Sequence, residues 1–347
     1  MKILGIETSC DECAAAVVED GRLILSDVVL SQVPFHARYA GVVPEIASRK
    51  HVEWILPVVR EALQTAGLDA AGIDGVAATA EPGLSGSLLV GLEFAKAFSW
   101  ARRVPFLACN HILAHLYAST LRFPAETSAA PPPEYPFIGL LVSGGHTIIC
   151  RADDFDRIEV LGTTIDDAAG EAFDKVSKFY GLGYPGGRCI DELAAKGDPN
   201  AFRFPLPNLH KGDHRYDVSY SGLKTAVVHQ LELFRVKTGS PDTALADIAA
   251  SFQRTAVEIL LRALFRVVED TGISTVVSGG GVAANSYLRA RLAGRGDIHA
   301  IFPPARLCGD NGAMVAGLAF RYFERGHSSP LSTTAAARTA GFRKRYP

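Results

Sequence analysis

Apolar and polar residues alternate along this chain in two rhythms, and the same pairing of rhythms occurs twice. Near the start, residues 2–8 are an apolar run that ends in a polar turn at residues 9–12. Residues 14–19 and 22–29 follow as two more short strands, joined at Asp20-Gly21, a dipeptide suited to a tight hairpin. Half a chain later the plan returns. Residues 137–142 form an apolar strand, Ser143-Gly144-Gly145 a turn, residues 146–151 a second strand and residues 158–163 a third. A strand–turn–hairpin unit that comes back at this separation predicts a duplicated domain.

A second element also recurs. Residues 76–79, 81–87 and 88–100 read as strand, glycine-rich loop and helix, and residues 274–277, 278–281 and 283–292 read the same way. Apolar spacing of 3.6 residues predicts further helices over 51–66, 244–271 and 312–323. Pro- and Ala-rich residues 124–136 lack periodicity and mark a boundary loop. Parallel strands alternating with helices give an α/β class. The expected lobes are 1–125, completed by the helix at about 311–325, and 136–310, with 326–347 as a tail.

Composition narrows the picture only slightly. At 347 residues the chain is too long for one compact core, so two domains are the default. A net charge of −2 gives no overall footprint for nucleic acid, so RNA binding would need a local patch or a partner subunit. Arg338, Arg343, Lys344 and Arg345 gather near the end, as a solvated tail or as a phosphate-binding arm. The six cysteines are scattered apart from Cys10-x-x-Cys13, and no second such pair completes a zinc site. No secretory or membrane-spanning segment is legible, so the cytoplasm is the expected location.

Four turns stand at strand ends, a polar one at residues 8–12 and glycine-bearing ones at 81–87, 143–146 and 278–281. Such turns leave backbone N–H groups facing outward, and a following helix adds positive potential, which suits phosphate. None of them matches a P-loop or a Rossmann fingerprint. A phosphate turn from each of two lobes facing a central cleft resembles the actin/Hsp70/sugar-kinase arrangement.

Asn110-His111-Ile112-Leu113-Ala114-His115 sets two imidazoles four residues apart, one above the other on a helix face. Two unrelated polar helix residues would look the same. The pair, however, follows the apolar strand 105–108, and α/β proteins hold ligands at strand ends. A third metal ligand would be a carboxylate from elsewhere, and Asp310 offers one ahead of the apolar helix 312–323. The zincin motif His-Glu-x-x-His is excluded, because Ile112 stands where its Glu must activate water.

Many ordered motifs together resemble one family. In the first half they are Gly5-Ile6-Glu7-Thr8-Ser9-Cys10-Asp11-Glu12, Gly41-Val42-Val43-Pro44-Glu45, Pro82-Gly83-Leu84 with Gly86-Ser87-Leu88, and Asn110-His111 with His115. In the second they are Ser143-Gly144-Gly145-His146, Gly170-Glu171-Ala172-Phe173-Asp174-Lys175, Tyr184-Pro185-Gly186-Gly187, Ser221-Gly222-Leu223-Lys224-Thr225 and Ser278-Gly279-Gly280-Gly281 with Asn285. Residues 1 to about 325 are similar to the TsaD (YgjD) family of tRNA adenosine N6-threonylcarbamoyltransferases. The resemblance implies a duplicated ASKHA fold and one divalent metal ion, Fe2+ ahead of Zn2+, on His111, His115 and Asp310. It implies transfer of threonylcarbamoyl from threonylcarbamoyl-AMP to N6 of adenosine 37, in tRNAs reading codons that begin with A. Leu141, Val142, Ser143, Gly144 and Gly145 would touch the substrate, and Asp174, Gly187, Asp191 and Asn285 would hold its nucleoside. The expected partners are tRNA, a TsaB-like paralogue and a TsaE-like ATPase, with no membrane.

The chemistry agrees with that expectation. Aspartates accept hydrogen bonds from ribose hydroxyls, and an asparagine amide carries the donor and acceptor an adenine edge needs. The attacking amine must lose a proton, and Asp11, Glu12 and His146 are the candidate bases. The family pattern is broken at Tyr39-Ala40-Gly41, at Glu81 and at Gly309, where a hydroxyl beside Asp310 is lost. Two rivals are a metallopeptidase, which Ile112 opposes, and a non-catalytic ASKHA-like partner, which the retained histidine pair opposes.

Overall fold

The computed structural model describes residues 1–39, 41–124, 131–207, 209, 212–237 and 242–339. Part of the boundary loop at 124–136, Ala40, and the basic residues Arg343, Lys344 and Arg345 lie outside the described residues. The described residues divide into two compact units, one within Met1–Glu134 and Pro303–Phe342, the other within Tyr135–Phe302.

In the first unit β1 (Lys2–Glu7), β2 (Glu12–Glu19) and β3 (Leu23–Ser31) form an antiparallel meander with Lys2 opposite Glu19. After α1 (Val33–His36) and α2 (Pro44–Thr65), β4 (Gly75–Glu81) joins β1 in parallel. After α3 (Ser85–Arg102), β5 (Phe106–Asn110) joins β4 in parallel and runs straight into α4 (His111–Tyr117). The sheet order is β3-β2-β1-β4-β5.

The second unit repeats this plan. Strands β6 (Phe137–Val142), β7 (Thr147–Ala152) and β8 (Ile158–Thr163) form the meander. Helices α5 (Ala169–Tyr180), α6 (Gly186–Ala194), α7 (Ser221–Lys237) and α8 (Asp242–Thr271) come next. They are followed by β9 (Thr275–Gly279), α9 (Ser286–Ala293) and β10 (His299–Ile301). The order β8-β7-β6-β9-β10, with β9 parallel to β6 and β10 parallel to β9, matches the first sheet strand for strand. The duplication read from the hydrophobic rhythm is therefore a duplication of topology.

Helix α10 (Gly312–Glu324) returns to the first unit. Strand side chains alternate between faces, so β1 turns Leu4 and Ile6 toward the core of α2 and α3, among Ile55, Val59 and Leu92. Gly5 and Glu7 face the other side. A Cβ on Gly5 would sit 2.2 Å from the Gly312 carbonyl oxygen and 2.5 Å from the Ala316 nitrogen, so the helix lies directly on the strand backbone. This contact needs glycine.

Three features depart from the sequence reading. Helix α2 starts at Pro44 rather than near residue 51, because Ser48, Arg49 and Lys50 hide the apolar period of its first turns, while proline at the first helical position starts it well. Residues 303–310, expected in the second lobe, belong to the first unit. The expected tail is in part a strap along β4 and β5. Ser329 N donates to Phe106 O at 2.7 Å, Ala108 N to Ser329 Oγ at 3.0 Å and Ala336 N to Ala80 O at 2.9 Å. It covers the otherwise open edge of the sheet. No helix among the described residues is long and apolar enough to cross a membrane.

Candidate metal centre and nucleoside-contact residues

Strand β5 ends at Asn110, whose Oδ1 accepts from Ile112 N at 2.9 Å and Leu113 N at 3.2 Å. This N-cap starts α4 with His111 as its first residue, and every residue of the helix is buried. One turn on, His115 brings its ring within 4.5 Å of the His111 ring, nearly perpendicular to it. Asp310 stands just ahead of α10. Asn311 caps that helix by accepting from Met314 N at 2.9 Å, and its Nδ2 donates to Gly309 O at 2.8 Å. That bond holds the segment beside Asp310, where the missing residue 309 side chain leaves open space.

The three groups expected as ligands are brought together. His115 Nε2 lies 3.1 Å and His111 Nε2 3.7 Å from Asp310 Oδ1. One donor atom from each residue falls within 4.8 Å of the others, so His111, His115 and Asp310 could hold a metal ion. The fit is chemical as well as geometric. Two buried imidazoles aim their Nε2 atoms at one carboxylate oxygen, a nitrogen–nitrogen–oxygen set that suits a borderline divalent cation.

The electrostatics agree. Burial alone would depress His111, but Asp310 and Glu7 outweigh it and raise its pKa to about 9. Burial and the nearby His111 hold His115 below the ordinary histidine value. A buried pair pushed in opposite directions shares one positive charge between two carboxylates, the electrostatic place a cation would take.

Sequence reading missed Glu7. It is fully buried at the carboxyl end of β1, with Oε2 3.1 Å from His111 Nδ1. Thr79 Oγ1 donates to the same oxygen at 2.5 Å, and Ser9 N donates to Oε1 at 2.5 Å. Burial would raise the Glu7 carboxyl, yet His111 prevails and keeps it below the usual value. An acid closing an apolar strand was a visible signal, but nothing in the sequence ties position 7 to position 111.

The turn after β1 carries Asp11 and Glu12 into the same unit. Burial first, then Asp11 and Asp310, raise Glu12 well above the usual carboxylate range. Ser31 Oγ donates to its Oε1 at 3.0 Å. Cys10 and Cys13 are unpaired, and burial pushes both thiols up, Cys13 to about 12, so neither offers a thiolate.

The remaining expected residues lie in the second unit, His146 among them. In the turn after Leu141 and Val142, Ser143 N donates to His146 O at 2.8 Å and His146 N to Ser143 Oγ at 3.1 Å. Those two N–H groups are engaged within the turn itself. Helix α5 closes on the same turn, with Gly170 N donating to Ser143 O at 3.1 Å. Asp174 Oδ1 accepts from Gly186 N at 2.7 Å, fastening α5 to the start of α6, where Gly187 faces open space. Asp191 accepts from Ser286 Oγ at 2.6 Å and Ser286 N at 3.2 Å. Asn285 caps α9 through Leu288 N at 3.0 Å and donates to Gln253 Oε1 at 3.1 Å and, more weakly, to Asp191 at 3.4 Å. These residues form one cluster around the starts of α6 and α9, in which each acid also serves a helix end.

A sequence profile described as TsaD, tRNA N6-adenosine threonylcarbamoyltransferase, matches residues 23–317. The chain belongs to the TsaD family. A Treponema denticola protein named tRNA N6-adenosine threonylcarbamoyltransferase is 59% identical over 345 residues, covering 99% of each chain. A Borrelia garinii subsp. bavariensis protein of the same name is 48% identical over 346 residues, covering 100% of this chain and 99% of its own. Among solved structures, HypF of T. kodakarensis aligns with a TM-score of 0.59 at 17% identity, over 93% of this chain and 48% of HypF. Component A of the Acidaminococcus fermentans (R)-2-hydroxyglutaryl-CoA dehydratase aligns at 0.53 and 15%, over 92% and 98%. At such identities these two speak for the fold alone, the ASKHA class expected from the repeated glycine loops.

Proposed function

We propose that this TsaD family member makes N6-threonylcarbamoyladenosine at position 37 of tRNAs reading codons that begin with A. Threonylcarbamoyl-AMP is the donor and AMP the product. The observation that carries the reading is the convergence of His111, His115 and Asp310, with one donor atom of each within 4.8 Å of the others, just beyond the carboxyl end of β5. The adenosine N6 attacks the carbamoyl carbon, the bond from that carbon to the phosphate oxygen breaks, and the N6 proton passes to a base. A divalent ion on the three ligands, Fe2+ or Zn2+, would supply Lewis acidity toward the leaving phosphate. Gly144 and Gly145 would offer backbone N–H groups to the donor's phosphate. Asp174, Gly187, Asp191 and Asn285 hold the nucleoside, with Asn285 exchanging its weak 3.4 Å bond for a base contact.

Among the candidate bases, Glu12 is favoured over Asp11 and His146. A carboxylate raised by burial is more basic than an ordinary one, and its neighbours Asp11 and Asp310 add to that. A net charge of −2 agrees with sharing tRNA among subunits, and on this reading those are a TsaB-like paralogue and a TsaE-like ATPase working in the cytoplasm. The test is incubation of the chain and those partners with threonylcarbamoyl-AMP and unmodified tRNA, followed by nucleoside analysis. Modified adenosine at position 37 is expected; its absence with the metal site loaded would overturn the reading.

A further inference from the structure

We propose that Glu7 is the positioning residue of the metal centre: its carboxylate holds His111 with the proton on Nδ1 and Nε2 turned to the ion. The proposal rests on the metal reading above. Three donors from three elements lock the Glu7 side chain, namely Ser9 N from the turn, Thr79 Oγ1 from β4 and His111 Nδ1 from α4. An ionised carboxylate only accepts hydrogen bonds, so the ring nitrogen 3.1 Å from it must carry hydrogen. In the neutral ring that a metal requires, the tautomer is thereby set, and the lone pair falls on Nε2, the atom 3.7 Å from Asp310. Ser9 Oγ also lies 3.3 Å from Nδ1, but a neutral oxygen at the longer distance is the weaker acceptor.

The second histidine makes the contrast. His115 Nδ1 is buried with no hydrogen-bond partner among the described residues, so only one of the two imidazoles is oriented from behind. Glu7 also completes the charge. With both imidazoles neutral, Glu7 and Asp310 together balance a divalent ion in a buried site, and a neutral residue 7 leaves one positive charge uncompensated. Outer carboxylates of this kind set ligand orientation and basicity, and their loss weakens metal binding about 10–100-fold.

The experiment is a competition titration of Zn2+ against a chromophoric chelator on the full chain, with Co2+ absorption as a report on ligand geometry. Glu7→Gln presents one acceptor oxygen to three donors. It should weaken Zn2+ binding about 10–100-fold and shift the Co2+ band, while far-UV circular dichroism of the metal-free protein stays native. Ser9→Ala should bind as the wild type does. If Glu7→Gln fails to fold, Thr79→Val decides, since it frees the same carboxylate oxygen without changing charge; weaker binding supports the role, and unchanged binding overturns it. Wild-type chain that takes up no Zn2+ sinks the metal reading itself. Tight wild-type binding that Glu7→Gln leaves untouched sinks only the role of Glu7.

Discussion

Replacing Gly5 by alanine tests how the fold and the metal centre depend on one contact. The new Cβ would lie 2.2 Å from Gly312 O, 2.5 Å from Ala316 N and 2.8 Å from Ala316 Cβ. Two of these are backbone atoms, so no rotamer change relieves the clash. Restoring ordinary contact requires α10 to retreat from β1 by about 1 Å. Overpacking of this kind costs about 1–3 kcal/mol, and each kcal/mol lowers the melting temperature of a domain of this size by roughly 2–4 °C. The same retreat carries Asp310, two residues ahead of Gly312, away from His111 and His115. Metal sites tolerate errors of only about 0.2 Å in ligand distance, so affinity should fall by at least about tenfold. Movement of β1 instead would displace Glu7 and reach the site by the other route. Calorimetric melting with and without Zn2+, together with the chelator titration, reads both effects. A Gly5→Ala protein that melts with the wild type and binds Zn2+ equally well would refute the reasoning.

Three further outcomes are expected. His115→Ala removes one of three ligands and should lower Zn2+ affinity by more than about 100-fold, beyond any outer-residue effect, with threonylcarbamoyl transfer lost; transfer at the normal rate would remove the metal from the chemistry. Asn110→Ala deletes the cap of α4 and should cost about 1 kcal/mol in urea unfolding, with weaker metal binding as His111 loosens. Asp27, half-buried against the start of α10, is raised to about 6 by burial, against the opposing pull of the Ala313 and Gly312 N–H groups. A folded-state value above the unfolded one gives stability that is complete below pH 3.8 and lost as pH rises through 6. At about 1.4 kcal/mol per unit, discounted for partial exposure, the loss is about 1–3 kcal/mol. Asp27→Asn should flatten this slope between pH 4 and 7 in urea titrations, and an unchanged slope would show that another group sets it.

Much of the fold is legible in the sequence alone, for reasons that can be named. Residues 2–7 and 137–142 are short apolar runs, each closed by a polar turn and followed by a hairpin, so local patterning was enough to reveal the duplicated sheet. His111 and His115 share a helix face because four residues make about one turn, a purely local fact. Helices α5, α6 and α7 were not foreseen, since their sequences read as charged and glycine-rich motifs whose helicity depends on packing beneath the sheet.

By itself, then, the sequence determined the fold class, the repeat, the two imidazoles and the need for a carboxylate, because periodicity and short-range spacing are written in neighbouring residues. Only the tertiary structure decided which groups meet across long separations. It lays α10 on Gly5 so that Asp310 reaches the histidines, and it buries Glu7 behind His111. Those pairings arise where parallel strands from distant segments end side by side, and the position of one strand end carries no local mark of its neighbour.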